Sequence, residues 1–288
     1  MSDDVLVVSG LRVEFRRRRQ SFAAVDGVDF AIGRGTTLGL VGESGSGKST
    51  IGNAILGLVS PSAGCIEFDG RDLTGLSRGD RRRLSSQLQV VFQDPYGSLN
   101  PLRTVGQSLV EPLLPDSGLS GSQRRARVVE LLERVGLRAA DMGRYPAAFS
   151  GGQRQRISIA RALVSRPRLV VCDEAVSALD LSTQAQILNL LSDLQTELGL
   201  SMLFISHDLA VVRYVSTDIV VLRGGRVVEK GAADDIYLAP RNEYTRALLA
   251  ASPTPDPARK AELTRLAAAG EAVLSQADAR RTTRTRSA

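Results

Sequence analysis

Short apolar runs bounded by Gly or Asp alternate along this chain with longer amphipathic stretches. That is the pattern of a mostly parallel sheet covered by helices, because strands buried on both faces read as unbroken apolar runs. It predicts strands at 37–41, 88–92, 169–172, 202–206 and 219–222, and helices at 48–56, 183–198 and 209–215. Near the start, the runs 5–8, 11–15 and 28–32 have no helix between them, so an antiparallel β layer is expected before the parallel core. Between 94 and 164 the strand signal stops, and 122–135 and 151–164 read as helices of an all-helical insertion. At 252–259, SPTPDPAR spaces three prolines that cannot continue a helix and reads as an extended exit linker. The expected organisation is an α/β domain over 1–252, with a helical subdomain at about 94–164, then a linker and basic tail at 253–288.

Composition narrows the function classes. With 43% hydrophobic and 24% charged residues, the chain has the make-up of a soluble globular protein with a sizeable core. No stretch approaches the roughly 18–20 uncharged apolar residues of a membrane-spanning helix, and MSDDVLVVSG lacks a signal-peptide layout, so a cytosolic protein is expected. The charge of +6 gathers in runs at 16–19, 81–83 and the arginine-rich end, a weak signal for nucleic acid, and without Trp a base-stacking platform is poorly supported. Cys172 and Cys65 read as small buried hydrophobes, with no disulfide framework or metal-ligand spacing.

The chemistry starts at 42–49, GESGSGKS, which fits G-x-x-x-x-G-K-[ST] between a predicted strand and a predicted helix. Gly42, Gly45 and Gly47 let the backbone N–H groups of the loop, including those of Ser44 and Ser46, curl around phosphate oxygens. The helix that carries Lys48, Ser49 and Thr50 points its positive end at the same anion. Lys48 would reach the terminal phosphates and Ser49 would place its hydroxyl on Mg²⁺. A P-loop nucleotide-binding core follows, and the motif by itself specifies a nucleotide without specifying adenine. LVVCDE supplies an acidic partner, since Asp173 ends a buried strand and can meet Mg²⁺ directly or through water. Glu174, one residue on, can orient or deprotonate an attacking water. In FSGGQRQR, Ser150 and Gln153 have the spacing of a capping box, and Gly151 and Gly152 leave the first N–H groups uncovered. That is either a second anion-binding helix start or one that merely caps itself.

Residues 150–153 resemble the signature motif of the ATP-binding cassette family, and the family's other elements follow in order. Gln93 resembles the glutamine that senses Mg²⁺ and the membrane partner, 177–180 (SALD, ending in Asp180) the loop after the catalytic carboxylate, and His207 the switch histidine at the γ-phosphate. Phe15 resembles the aromatic that stacks on adenine, with Phe22 as the alternative. Ala175 stands where the family usually has proline. The resemblance implies a RecA-like core, ATP and Mg²⁺ as ligands, and two cassettes head to tail, with Ser150, Gly151, Gly152 and Gln153 completing the other subunit's site.

Segments 91–113, 144–163, 184–200 and 242–257 are similar to the ATPase subunits of oligopeptide and dipeptide importers, a group that includes nickel and glutathione importers. The resemblance implies a peripheral ATPase at the cytoplasmic face of the membrane. Its partners would be a second ATPase subunit, a related one in preference to a copy, two transmembrane permease subunits and, indirectly, an extracytoplasmic solute-binding protein, without nucleic acid. A nickel or glutathione importer, or a soluble cassette acting on ribosomes or DNA, are the other readings. No cysteine follows Cys172, so no iron–sulfur cluster is expected. The arginines at 16–19 and 280–286 read as solvated charge or as proximity to anionic lipid.

Overall fold

The computed structural model describes residues 3–17, 20–94, 96–114 and 118–251. In chain order the elements are β1 (Asp4–Arg17), β2 (Gln20–Gly33), β3 (Thr37–Val41), α1 (Lys48–Leu56), β4 (Ala63–Phe68), β5 (Arg71–Asp72), α2 (Arg78–Leu84) and β6 (Leu88–Val91). There follow α3 (Val105–Val110), α4 (Gly121–Arg134), α5 (Gly151–Leu163), β7 (Leu169–Asp173), α6 (Leu181–Leu198), β8 (Ser201–Ser206) and α7 (Leu209–Val215). The described chain ends with β9 (Asp218–Arg223), β10 (Arg226–Ala232), α8 (Ala233–Leu238) and α9 (Glu243–Ala251).

Two sheets form. The larger has the order β10-β9-β3-β8-β7-β6, parallel from β9 to β6, with β10 returning antiparallel on β9. Its central strands are apolar throughout because both faces are covered: Leu38, Leu40, Val171, Leu203 and Ile205 face one core, while Val170, Cys172, Met202 and Phe204 face the other. The smaller sheet, β2-β1-β4-β5, is antiparallel. The expected runs 5–8 and 11–15 are one strand here, joined across a register shift between Val8 and Leu11 where the Gly10 amide donates to Asp29 Oδ1 at 2.6 Å.

Helix α1 fills the space between the sheets. Its Ile51 and Ile55 are fully buried among residues of both, and each contributes roughly 1.5–3 kcal/mol relative to exposure. That burial fixes the start of α1, and hence Lys48 and Ser49, against the strand ends. On the other face of the large sheet, Ile157 and Ile159 of α5, Ile187 and Leu191 of α6 and Val212 of α7 close the second core.

Several expectations need correction. The strand expected at 88–92 ends at Val91, and Phe92 leaves the ladder. Cys172 is buried, but Cys65 is partly exposed, because β4 alternates and turns Ile66 and Phe68 inward. Within 81–83, Arg81 belongs to the framework: its guanidinium donates to the Leu73 carbonyl at 2.6 Å, and burial lowers its pKa. The side chains at 16–19, the proline run and the tail lie outside the described residues. Among the described residues no helix is long and apolar enough to cross a membrane.

Candidate nucleotide site

Parallel strands put their carboxyl ends on one edge, which is where open α/β sheets bind ligands. Here the register pairs Val41 with Ser206, Asp173 with Ile205 and Val91 with Cys172. The loop after β3, Asp173 at the end of β7 and Glu174 just past it, His207 after β8 and Gln93 beyond β6 therefore leave the sheet at the same edge. Residues far apart in sequence meet because sheet order, not chain order, decides their neighbours.

The loop 42–47 wraps the start of α1. Gly47 is the N-cap with φ 105°, and a Cβ there would meet the Ala24 carbonyl of β2 at 2.4 Å, so only glycine fits. No side chain caps α1, leaving the first-turn N–H groups directed outward as an anion site. Glu43, Ser44, Gly45 and Ser49 are exposed at the crown, Thr50 is half-buried, and Ser46 Oγ is buried without a hydrogen-bond partner. Lys48, only 4% exposed, donates from Nζ to the carbonyls of Gly42 and Glu43, both at 2.8 Å. Burial lowers its pKa, while Glu174, Asp173 and Glu43 nearby act to raise it.

Ser49 Oγ donates to Asp173 Oδ1 at 3.0 Å. Burial raises the Asp173 pKa, and the Glu174 charge adds to this against the Ser49 hydrogen bond and Lys48. Two oxygen donors side by side, with adjoining carboxylates that oppose each other's charge, suit a hard divalent cation such as Mg²⁺. Glu174 has φ 49°, a left-handed conformation uncommon for a side-chain-bearing residue, and its N–H donates to the Ile205 carbonyl at 3.0 Å. This turns its carboxylate to within 3.6 Å of His207 Nδ1. His207 is held by a short link, since Asp208 caps α7 and donates from its N–H to Ser206 Oγ at 3.1 Å.

The second expected anion site starts α5. Ser150 Oγ accepts from the Gln153 N–H at 3.3 Å and Gln153 Oε1 accepts from the Ser150 N–H at 3.0 Å, a complete capping box. The N–H groups of Gly151 and Gly152 are left without intrahelical acceptors. Arg144 steadies the approach, stacking 4.4 Å above Phe149 and donating to the Ala148 carbonyl at 2.8 Å. Asp180 caps α6 through Thr183, accepting from its N–H at 2.9 Å and its hydroxyl at 2.7 Å. These hydrogen bonds from Thr183 hold the Asp180 carboxyl below its usual range. A Cβ on Gly152 would lie 2.5 Å from Thr183 Cγ2, so the two helix starts are in contact. Helix α5 packs on α3, α4, α6 and β6, whereas α1 packs on β2, β6, β7 and β8. Phe15 and Phe22, the two adenine candidates, are direct cross-strand partners, 43% and 61% exposed, on the hairpin whose Ala24 touches the loop.

Two residues of this region had no role in the sequence reading. Tyr244 of α9 accepts a hydrogen bond from the Glu43 N–H at 3.0 Å, and Arg223 stacks 4.9 Å from its ring centre. It lies in a segment whose likeness to importer ATPases is visible, but a contact spanning 201 residues leaves no local signal. Gln155 is completely buried on α5, between two arginines that mask it in the sequence. Because one neutral hydrogen bond is worth about 0.5–1.5 kcal/mol, Tyr244→Phe is expected to raise the KM for ATP about two- to tenfold with little change in kcat. Steady-state kinetics check this, and an unaltered KM would remove Tyr244 as a strut of the loop.

The fold and its clustered edge define an α/β nucleotide-binding ATPase. The profile of the ABC transporter family matches residues 25–177. A putative peptide import ATP-binding protein of Brucella ovis is 49% identical over 258 residues, covering 90% of this chain and 81% of that protein. The dipeptide transport ATP-binding protein DppF of Escherichia coli K12 is 49% identical over 84% of this chain and 73% of its own length. The oligopeptide transport ATP-binding protein OppD of Mycobacterium tuberculosis is 51% identical over 86% of this chain and 40% of its own. Among solved structures, cbiO1 of Clostridium perfringens, part of the ABC transporter complex cbiONQ, aligns with a TM-score of 0.74 at 28% identity, over 83% of this chain and 92% of that one. The dimeric post-hydrolysis cassette MJ0796, bound to ADP and Pi, aligns at 0.72 and 29% identity, over 79% and 98%. This chain belongs to the ABC transporter family, as its ATP-binding cassette.

Proposed function

We propose that this cassette hydrolyses ATP to drive a peptide-type importer from the cytoplasmic face of the membrane. One observation carries the site assignment: the loop of Lys48, the Ser49–Asp173 pair, Glu174 and His207 leave a single sheet edge. Lys48 and the N–H groups of 42–50 bind the phosphates, and Ser46 Oγ is an unpaired group within that loop. Ser49 and Asp173, helped by Gln93, would hold Mg²⁺, which neutralises charge on the phosphate oxygens when bound. Glu174 orients the attacking water and takes its proton at a carboxylate oxygen. His207, beside Glu174, contacts the γ-phosphate. Phe15 or Phe22, both exposed on the hairpin whose Ala24 abuts the loop, would stack on adenine.

Ser150, Gly151, Gly152 and Gln153, with Asp180 beside them, serve the ATP of a second ATPase subunit. The packing of α5 on the helices α3, α4 and α6, which α1 does not share, supports that division, and so does the dimer formed by the cassette MJ0796. For the transport partner, a groove of about 960 Å³ opens in the helical region, lined by Leu102, Val110, Leu114 and Met142 with Arg103 and Glu111 at hand. Leu102 is 86% exposed. An apolar floor with a charged rim suits a short amphipathic helix of a permease subunit. The peptide-transport roles in the relatives' names support peptides as the solute class. The test is isolation of the tagged full chain from membranes. Two polytopic subunits and peptide-stimulated ATP turnover are expected, whereas recovery with ribosomes would overturn the reading.

A further inference from the structure

The ladder between β6 and β7 ends at the pair Val91 and Cys172. Beyond it the strands part, leaving carbonyls of a low-dielectric region without ladder donors. The amide of Gln155 fills that gap: its Nε2 donates to the Ala175 carbonyl at 2.6 Å and to the Phe92 carbonyl at 3.4 Å. Ala175 follows Glu174, and Phe92 precedes Gln93. One fully buried side chain thus fixes the backbone beside both residues assigned to the water and the metal, from a helix capped five residues earlier by Ser150.

The fastening continues along the same face of α5. Arg154 stacks 4.0 Å from the Tyr96 ring centre, Ser158 Oγ lies 2.8 Å from Ser98 Oγ, and Arg161 donates to the Ser98 carbonyl. Phe92, Tyr96 and Ser98 are therefore each tied to α5. Helix α5 and this segment can be displaced together far more easily than apart, since separating them leaves buried donors and carbonyls unpaired.

We propose that Gln155 is a positioning residue that couples the two ATP sites of the dimer through the body of each subunit. The inference rests on the proposed division of labour, in which the start of α5 meets the partner's ATP while Gln93 and Glu174 serve the subunit's own. ATP that draws Ser150 toward the partner then moves Phe92 and Ala175, and with them Gln93 and Glu174. Each site is set for hydrolysis by the occupancy of the other.

The test uses the intact transporter and compares wild type with Gln155→Met, which conserves volume and removes both donors. It is expected to lower kcat about ten- to a hundredfold, the scale of a small misplacement of reacting groups, with the KM for ATP changed less than about threefold. Ser201→Ala, a buried polar loss at the end of β8 away from His207, controls for stability. It should reduce thermal stability to a similar degree and leave kcat within about twofold of wild type. If Ser201→Ala lowers kcat as much as Gln155→Met does, Gln155 is a purely structural residue and the inference fails. Ser150→Ala combined with Gln155→Met should cost less than the product of their separate effects, as expected for groups acting in one chain. Multiplicative costs, or a wild-type kcat in Gln155→Met, overturn the coupling. A wild-type complex that turns over no ATP overturns instead the ATPase reading on which the coupling rests.

Discussion

Glu174→Gln is expected to lower ATP turnover about a hundred- to ten-thousandfold while leaving ATP binding intact, because the change removes a proton acceptor and keeps the shape. Its neighbours explain the selectivity. Backbone position 174 is fixed by the hydrogen bond to the Ile205 carbonyl and by its left-handed turn, neither of which depends on the carboxylate. The phosphate loop, one strand away on the far side of β8, is not disturbed. The amide also relieves the charge opposition that helps raise the Asp173 pKa. Nucleotide should therefore stay bound and hold two subunits together. Size-exclusion chromatography with ATP should show a persistent dimer, and phosphate release should be nearly absent. Turnover close to wild type would remove Glu174 from the role of water activator.

Lys48→Ala strikes an earlier step and should be as severe. Its ammonium is buried beside Asp173 and Glu174, and removing it leaves those carboxylates to meet the phosphates unopposed. The Gly42 and Glu43 carbonyls also lose the donor that links both ends of the loop. ATP turnover should fall about a hundred- to a thousandfold, the scale seen when one preorganised donor to a developing anion is deleted. Here, unlike in Glu174→Gln, affinity should fall too, and no ATP-held dimer should form. Titration with a fluorescent ATP analogue separates the two variants, and retention of both affinity and turnover by Lys48→Ala would contradict the assignment.

Much of the fold was legible because the parallel strands are apolar on both faces. The runs 37–41 and 48–56 match β3 and α1 residue for residue. What escaped was polar or at an edge. Of β4, only Ile66 and Phe68 are buried, β5 is two residues long, and β10 is largely half-exposed, so none presents an apolar run. Helix α2 hides in an arginine-rich stretch whose signal, Ser77 capping Asp80, is easily read as a loop. The motifs themselves were readable because glycine, lysine and paired carboxylates have few other reasons for such spacing. Their meeting on one edge was not, because it depends on β3, β8 and β7 being neighbours in the sheet. The choice between Phe15 and Phe22 was open in sequence because the arginine run between them blurs the spacing, and the hairpin places them opposite each other, so both occupy the same patch.

The contact between Gly152 and Thr183 also limits how this protein can vary. The start of α5 and the cap of α6 are cut to each other's outline, with Thr183 filling the space a side chain at 152 would need and also supplying the hydrogen bonds to Asp180. A helical segment exchanged in from a relative brings its own outline at 152 and meets whatever residue stands at 183. Drift at one position is therefore tolerated only with a matching trim at the other. Position 183, which no motif includes, thus limits what the signature helix can carry at 152.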